Sequence, residues 1–163
     1  MSVGREQASR YQRVVLEILN YLFNPELIDG QPEVKTIDGT ERRDIIFTND
    51  SDEPFWDYVR STYHGLLVMF EAKITGTLEL EHINQTATYL GDRIGRLGII
   101  VTRNEPGENV RRKIMAVWND SNPRKVILTL SDANLNELLD LCKGGSPTAW
   151  MQRHYRRFMT SIQ

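Results

Sequence analysis

The chain has 163 residues, a formal charge of −2, and is 40% hydrophobic and 26% charged. That length fits one domain with a sizeable core, and the composition is that of an ordinary globular protein. The longest apolar runs (66–70, 97–101 and 126–130) fall far short of the ~20 residues needed to cross a bilayer, and the N-terminal MSVGREQASRYQR lacks the apolar stretch of a signal peptide.

The single cysteine, Cys142, excludes an internal disulfide and a Cys-based zinc site. It suits a reducing, cytoplasmic setting, and at the end of an apolar helix face it reads as a small buried hydrophobe.

In chain order, residues 6–23 form the first helix, with Tyr11, Val14, Val15, Ile18, Leu19 and Leu22 at helical spacing, closed by Asn24-Pro25. Residues 33–37 read as a short strand, Asp38-Gly39 as a hairpin turn, and 43–48 (RDIIFT) as a second strand. After a turn-rich break at 49–52, residues 54–63 carry Phe55, Trp56, Tyr58 and Val59 and suit a short helix. Those aromatics either stack on nucleic-acid bases or pack a loop on the core.

Residues 65–73 (GLLVMFEAK) are nearly continuous in apolar side chains, as expected of a strand buried on both faces. A helix over 78–93, a strand over 97–102, a helix over 109–118 and a strand over 125–130 follow. The Gly91–Gly98 stretch (GDRIGRLG) is a helix end leading into a strand rather than a phosphate loop, because it lacks the Lys-Ser/Thr ending. Ser131-Asp132 caps a helix over 135–142, which Gly144-Gly145 ends, and a last helix covers 148–158. The expected fold is therefore α/β: a mixed central sheet flanked by helices, antiparallel at its start, with extra C-terminal helices.

Chemistry concentrates at the polar end of the buried strand. Glu71 and Lys73 are two residues apart and share a face of a strand. Asp44 opens the apolar part of the preceding strand, so antiparallel pairing brings Asp44 beside Glu71. Two hard oxygen ligands at one point suit Mg²⁺, and an adjacent lysine can orient water or offset charge on a phosphate. The competing reading is a plain cross-strand salt bridge, since Glu-x-Lys is a cheap pattern. His64, His82 and His154 show no metal-ligand spacing.

Asp44 followed by Glu71-Ala72-Lys73 resembles the D…(D/E)-x-K motif of the PD-(D/E)XK, restriction-endonuclease-like nucleases, and in particular the Mrr-like branch. The resemblance covers roughly residues 11–102. It implies an αβββαβ core, with Asp44, Glu71 and the backbone carbonyl of Ala72 on Mg²⁺ (Mn²⁺ able to substitute) and Lys73 positioning the water. Glu17 on the first helix matches a further acidic position that binds metal or orients water, and Gln85 matches a glutamine that reaches toward the site. No proline precedes Asp44, and residues 49–64 form an insertion between the two motif strands.

Arg42 and Arg43 flank Asp44 and are candidate phosphate contacts or plain surface cations. Tyr89, one turn after Gln85, reads as a core aromatic. Two further basic clusters, Arg111-Arg112-Lys113 and Arg153/Arg156/Arg157, are either solvated faces or a guide for a polyanion.

The expected activity is Mg²⁺-dependent hydrolysis of phosphodiester bonds in DNA, acting in defence against foreign DNA. The alternatives are an RNA-directed nuclease and a catalytically silent binding or assembly module. No membrane partner is expected, a homodimer is a reasonable arrangement, and the chain reads as one nuclease domain that could be joined to a sensor domain in a longer protein.

Overall fold

The computed structural model describes residues 3–37 and 39–162. Its elements are α1 (Val3–Phe23), β1 (Ile28–Ile37), β2 (Thr40–Thr48), α2 (Pro54–Tyr63), β3 (Leu67–Lys73), α3 (Leu80–Tyr89), β4 (Leu97–Thr102), α4 (Glu108–Asp120), β5 (Val126–Ser131), α5 (Asp132–Leu141) and α6 (Pro147–Ser161). The strands form one five-stranded sheet in sequence order. β1, β2 and β3 pair antiparallel, whereas β3, β4 and β5 pair parallel. The mixed α/β architecture expected from the sequence, with its additional C-terminal helices, is the one observed.

The parallel strands are buried along almost their whole length, because helices cover both faces. Alternate residues of β2, β3, β4 and β5 feed two cores. Ile46, Met69, Ile100 and Ile127 meet Ile83 of α3 and Val110 and Ile114 of α4. On the other face Ile45, Phe47, Phe70, Val101 and Leu128 meet α1, α2, α5 and α6 through Leu19, Trp56, Leu138 and Trp150. Among the described residues, no helix is long and apolar enough to cross a membrane.

The connection between β2 and β3 is the helix α2, with Pro54 in its first turn and Phe55, Trp56, Val59 and Tyr63 buried. Trp56 packs edge-on against Phe23 at 5.6 Å and donates from Nε1 to Thr148 Oγ1 at 3.2 Å. Phe55 and Trp56 are therefore core residues, and only Tyr58 of this group is substantially exposed. Buried Asn49 closes the connection: its Nδ2 donates to the carbonyls of Trp56 (2.8 Å) and Gly65 (3.0 Å), and its amide donates to Leu66 O (2.8 Å).

Several boundaries differ from the sequence expectation. β1 begins at Ile28 rather than at 33, running through Gly30 and Pro32 with a register shift between Ile28 and Gln31. Proline is tolerated there because β1 is an edge strand. The α3 helix ends at Tyr89 instead of 93. Leu90 turns extended, and Gly91 bridges to Gly95. Gly95 has φ +92°, and a Cβ there would stand 3.0 Å from the Leu67 carbonyl, so this tight return requires glycine. Cys142 is half-buried rather than fully buried. In the β1–β2 hairpin signal, Asp38 lies outside the described residues, while Gly39 takes φ +77°.

Candidate active site

The antiparallel register sets Asp44 directly opposite Glu71, and Glu33 opposite Asp44. Residues two apart on a strand share a face, so Arg42 and Asp44 follow Ile46, and Glu71 and Lys73 follow Met69, onto the side covered by α3 and α4. The convergence of Asp44, Glu71 and Lys73 expected from their spacing is present.

All three are withdrawn from solvent: Asp44 is 0% exposed, Glu71 1% and Lys73 7%. Buried charge needs partners. Lys73 Nζ lies 2.9 Å from Glu71 Oε1. Thr86 of α3 donates its hydroxyl to Glu71 Oε2 at 2.7 Å. Arg42 Nη2 donates to the same Oε2 at 3.1 Å and to Asp44 Oδ1 at 3.4 Å. One guanidinium nitrogen thus bridges both carboxylates, while the Cζ of the group lies 4.8 Å from the Tyr89 ring centroid. Asp44 Oδ2 is buried and without a partner among the described residues. Burial is the main reason that the Asp44 carboxyl is held up at about 6; Arg42 pulls it back down and the Glu71 charge pushes it further up.

On the other face Gln12 of α1 donates from Nε2 to the carbonyls of Asp44 (2.8 Å) and Glu33 (3.0 Å). α1 is thereby tied to the strand that carries Asp44. Glu17 does not join the carboxylates. It is exposed, and it follows Gln12 by five residues, about 140° around the helix. It also belongs to the helix on the sheet face opposite to the Asp44 and Glu71 side chains.

Gln85 lies one residue before Thr86, with Oε1 buried and unpartnered among the described residues. Tyr89 is half-buried rather than a core residue, with Lys35 Nζ 4.4 Å from its centroid as well as Arg42. The two flanking arginines are not surface cations. Arg42 is fully buried at 0% exposure. Arg43, on the α1 side, donates to Ser9 Oγ at 2.8 Å and pairs with Glu41.

A cleft of about 390 Å³ opens at the end of β3, with Ala72 and Lys73 in its lining, joined by Arg5 of α1, Arg43 of β2 and His82 of α3. Arg5, Arg43 and Lys73 face this space together with Glu41, which pairs with both arginines. His82 titrates below its usual range, first because of burial and then because of the Lys73 charge. Sequence reading missed Arg5 and Thr86: neither sits in the motif, and helix packing alone brings them to the strand end. The two remaining basic clusters meet elsewhere, Arg111 and Arg157 lining a separate cavity of about 540 Å³ against β5 with His154 and Phe158.

The residues fit a divalent cation of the Mg²⁺ class. Asp44 Oδ2 is an orphaned hard acceptor, and a second carboxylate stands in register with it. Among the described residues, no group of three or more His, Cys, Asp or Glu side chains forms a cage. Mg²⁺ asks for less than that, since it usually keeps several waters and takes one or two protein carboxylates.

No family model matches the chain. A protein of Escherichia coli (strain K12) described as a transposon gamma-delta 80.3 kDa protein is 32% identical over 105 residues, which is 63% of this chain and 15% of that protein.

Proposed function

We propose that this domain is a divalent-metal-dependent nuclease of the PD-(D/E)XK kind that hydrolyses phosphodiester bonds of DNA. The observation that carries the reading is the cross-strand pair Asp44–Glu71 with Lys73 on the same face, Lys73 lining a cleft at the strand end.

In this reading Asp44 and Glu71, with the Ala72 carbonyl, hold the cation. When bound, the cation supplies Lewis acidity toward the phosphoryl group. Lys73, fixed by Glu71 Oε1 and lining the cleft, orients the attacking water and offsets charge on the phosphate. Water attacks phosphorus in line, the P–O bond to the leaving strand breaks, and the proton the water gives up ends on the leaving oxygen by way of solvent. Arg5 and Arg43 would hold the flanking phosphates at the cleft wall by exchanging Glu41, with which both now pair, for phosphate oxygens. On α3, Thr86 holds the Glu71 carboxylate in place, and its chain neighbour Gln85 keeps a buried Oε1 without a partner among the described residues.

A second reading, a catalytically silent module, draws on Arg42, which already neutralises both carboxylates. The deciding experiment is cleavage of plasmid, single-stranded DNA and RNA with Mg²⁺ or Mn²⁺, comparing wild type, Lys73→Ala and added chelator. Cleavage of DNA that is lost in both controls supports the nuclease. Absence of cleavage on every substrate, or cleavage unaffected by Lys73→Ala, overturns it.

A further inference from the structure

Arg42 is badly served for a permanent buried counter-ion. Structural guanidinium–carboxylate pairs engage through two parallel N–H···O bonds with the remaining donors satisfied. Here a single nitrogen, Nη2, does everything, reaching Glu71 Oε2 at 3.1 Å, Asp44 Oδ1 at 3.4 Å and Met69 Sδ at 3.9 Å. Nε and Nη1 are buried and have no partner among the described residues. The bond to Asp44 is long, and Asp44 Oδ2 is left unused beside it.

The charges explain why the group is there at all. Asp44 and Glu71 supply two negative charges, and Arg42 and Lys73 supply two positive ones, in a site with almost no solvent. Without Arg42 the two facing carboxylates would repel one another in low dielectric. With a divalent cation at the same oxygens, Arg42 becomes the surplus charge. A dication and a guanidinium cannot share the acceptors that Nη2 now occupies. Lys73 has a different position, because it contacts the other oxygen of Glu71 and lines the open cleft.

We infer that Arg42 is a resident counter-ion occupying the cation position of the Asp44–Glu71 pair, and that a divalent metal binds by displacing it. The inference rests on the metal-site reading above and adds a regulatory element to it. Metal affinity is set by competition with an internal cation, so the site stays closed at low metal concentration. The displaced guanidinium carries five donors that match phosphate oxygens, which makes it a contact for the substrate backbone. The Tyr89 ring, which now faces the guanidinium with Cζ 4.8 Å from its centroid, offers a surface along which the charged head can slide.

The test is Mn²⁺ calorimetry on the wild type, Arg42→Gln, Arg42→Met and Asp44→Asn. Removing the competitor tightens Mn²⁺ binding tenfold or more in both Arg42 variants, and Asp44→Asn abolishes it. A second measurement avoids any folding defect of the variants. In wild-type protein labelled with ¹⁵N-arginine, the Arg42 Nε resonance moves during Mg²⁺ titration with the midpoint of the binding isotherm. If Asp44→Asn abolishes binding but the Arg42 variants bind no tighter, or the Nε resonance stays fixed as metal saturates, the displacement is overturned and the metal site stands. If wild type and Arg42 variants all fail to bind metal, both the displacement and the metal-site reading fall.

Discussion

Thr86 donates its hydroxyl to Glu71 Oε2 at 2.7 Å, from the middle of α3 to the end of β3. It is a neutral donor in a cluster otherwise built from charges. It shares its acceptor with Arg42, while Lys73 takes the other oxygen, so it holds the Glu71 carboxylate whatever Arg42 does. Thr86→Val keeps the volume and removes the donor. A lost hydrogen bond to a charged group costs about 2 kcal/mol, or roughly 4–8 °C in Tm for a chain of this size. Thermal unfolding measures it, Thr86→Ser should restore most of it, and an unchanged Tm in Thr86→Val would contradict the role.

Asp44 gives a pH signature. Its carboxyl sits at about 6 in the folded protein, above the ordinary carboxylate range, mainly through burial. Folding therefore favours its protonated form. The stabilisation is fully present below the unfolded value near 4 and is lost as pH rises through about 6. Asp44→Asn cannot ionise, so it gains on the wild type as pH rises, by up to about 3 kcal/mol between roughly pH 4 and pH 8. Urea unfolding of both proteins across that range measures the difference, and a gap independent of pH would contradict it.

Gln12 joins α1 to two carbonyls on neighbouring strands, Asp44 at 2.8 Å and Glu33 at 3.0 Å. Gln12→Leu leaves both without this donor, at a cost of about 1 kcal/mol for each bond. Hydrogen exchange should quicken first in β1, the edge strand that loses its tie to the helix. Unchanged exchange in β1 would show that packing alone holds α1 there.

The aromatic group of α2 offers a contrast. Trp56→Ala should cost about 3–5 kcal/mol, as a large buried ring is lost. Tyr58 is largely exposed, although its hydroxyl lies 3.2 Å from that of Tyr155, so Tyr58→Phe should leave stability within about 1 kcal/mol. On the nuclease reading proposed above, DNA affinity should change in neither once folding is accounted for, measured by fluorescence anisotropy below each melting point. A specific loss of affinity in Tyr58→Phe would return this helix to the binding surface.

Particular residues show what the sequence made legible. The apolar run before Glu71 announces a strand buried on both faces, and a spacing of two puts Lys73 on the Glu71 side of it. The approach of Asp44 needed only the assumption of antiparallel pairing, which the register bears out. Arg42 was misread because an arginine is almost never fully buried unless paired, and its pairing depends on a strand 29 residues away. The alternation Arg42, Asp44, Ile46 was the available signal, since it puts the arginine on the same inward face. Glu17 was singled out by the resemblance alone; the helical spacing of α1 defines an apolar stripe but does not say which sheet face the helix will cover, and Glu17 is exposed on the face away from the carboxylates. Gln12 left no trace in the pattern, as its targets are backbone carbonyls that every residue possesses. β1 was cut short because Gly30 and Pro32 look like turn residues in a segment whose edge position excuses them.

Asn49 lies five residues beyond Asp44, about 17 Å along an extended strand, and its hydrogen bonds run to Trp56, Gly65, Leu66 and Arg60 rather than to Arg42, Asp44, Glu71 or Lys73. Its hydrogen bonds nonetheless fix how far β3 can slide against β2. Strand faces alternate residue by residue, so a slip of one position would turn Glu71 and Lys73 toward the α1 layer and send Phe70 and Ala72 to the α3 layer. The carboxylate pair would be dismantled with every side chain intact. An uncharged amide in a loop is thus the vernier of the whole arrangement, and the alignment of the charges is inherited from a residue that carries none.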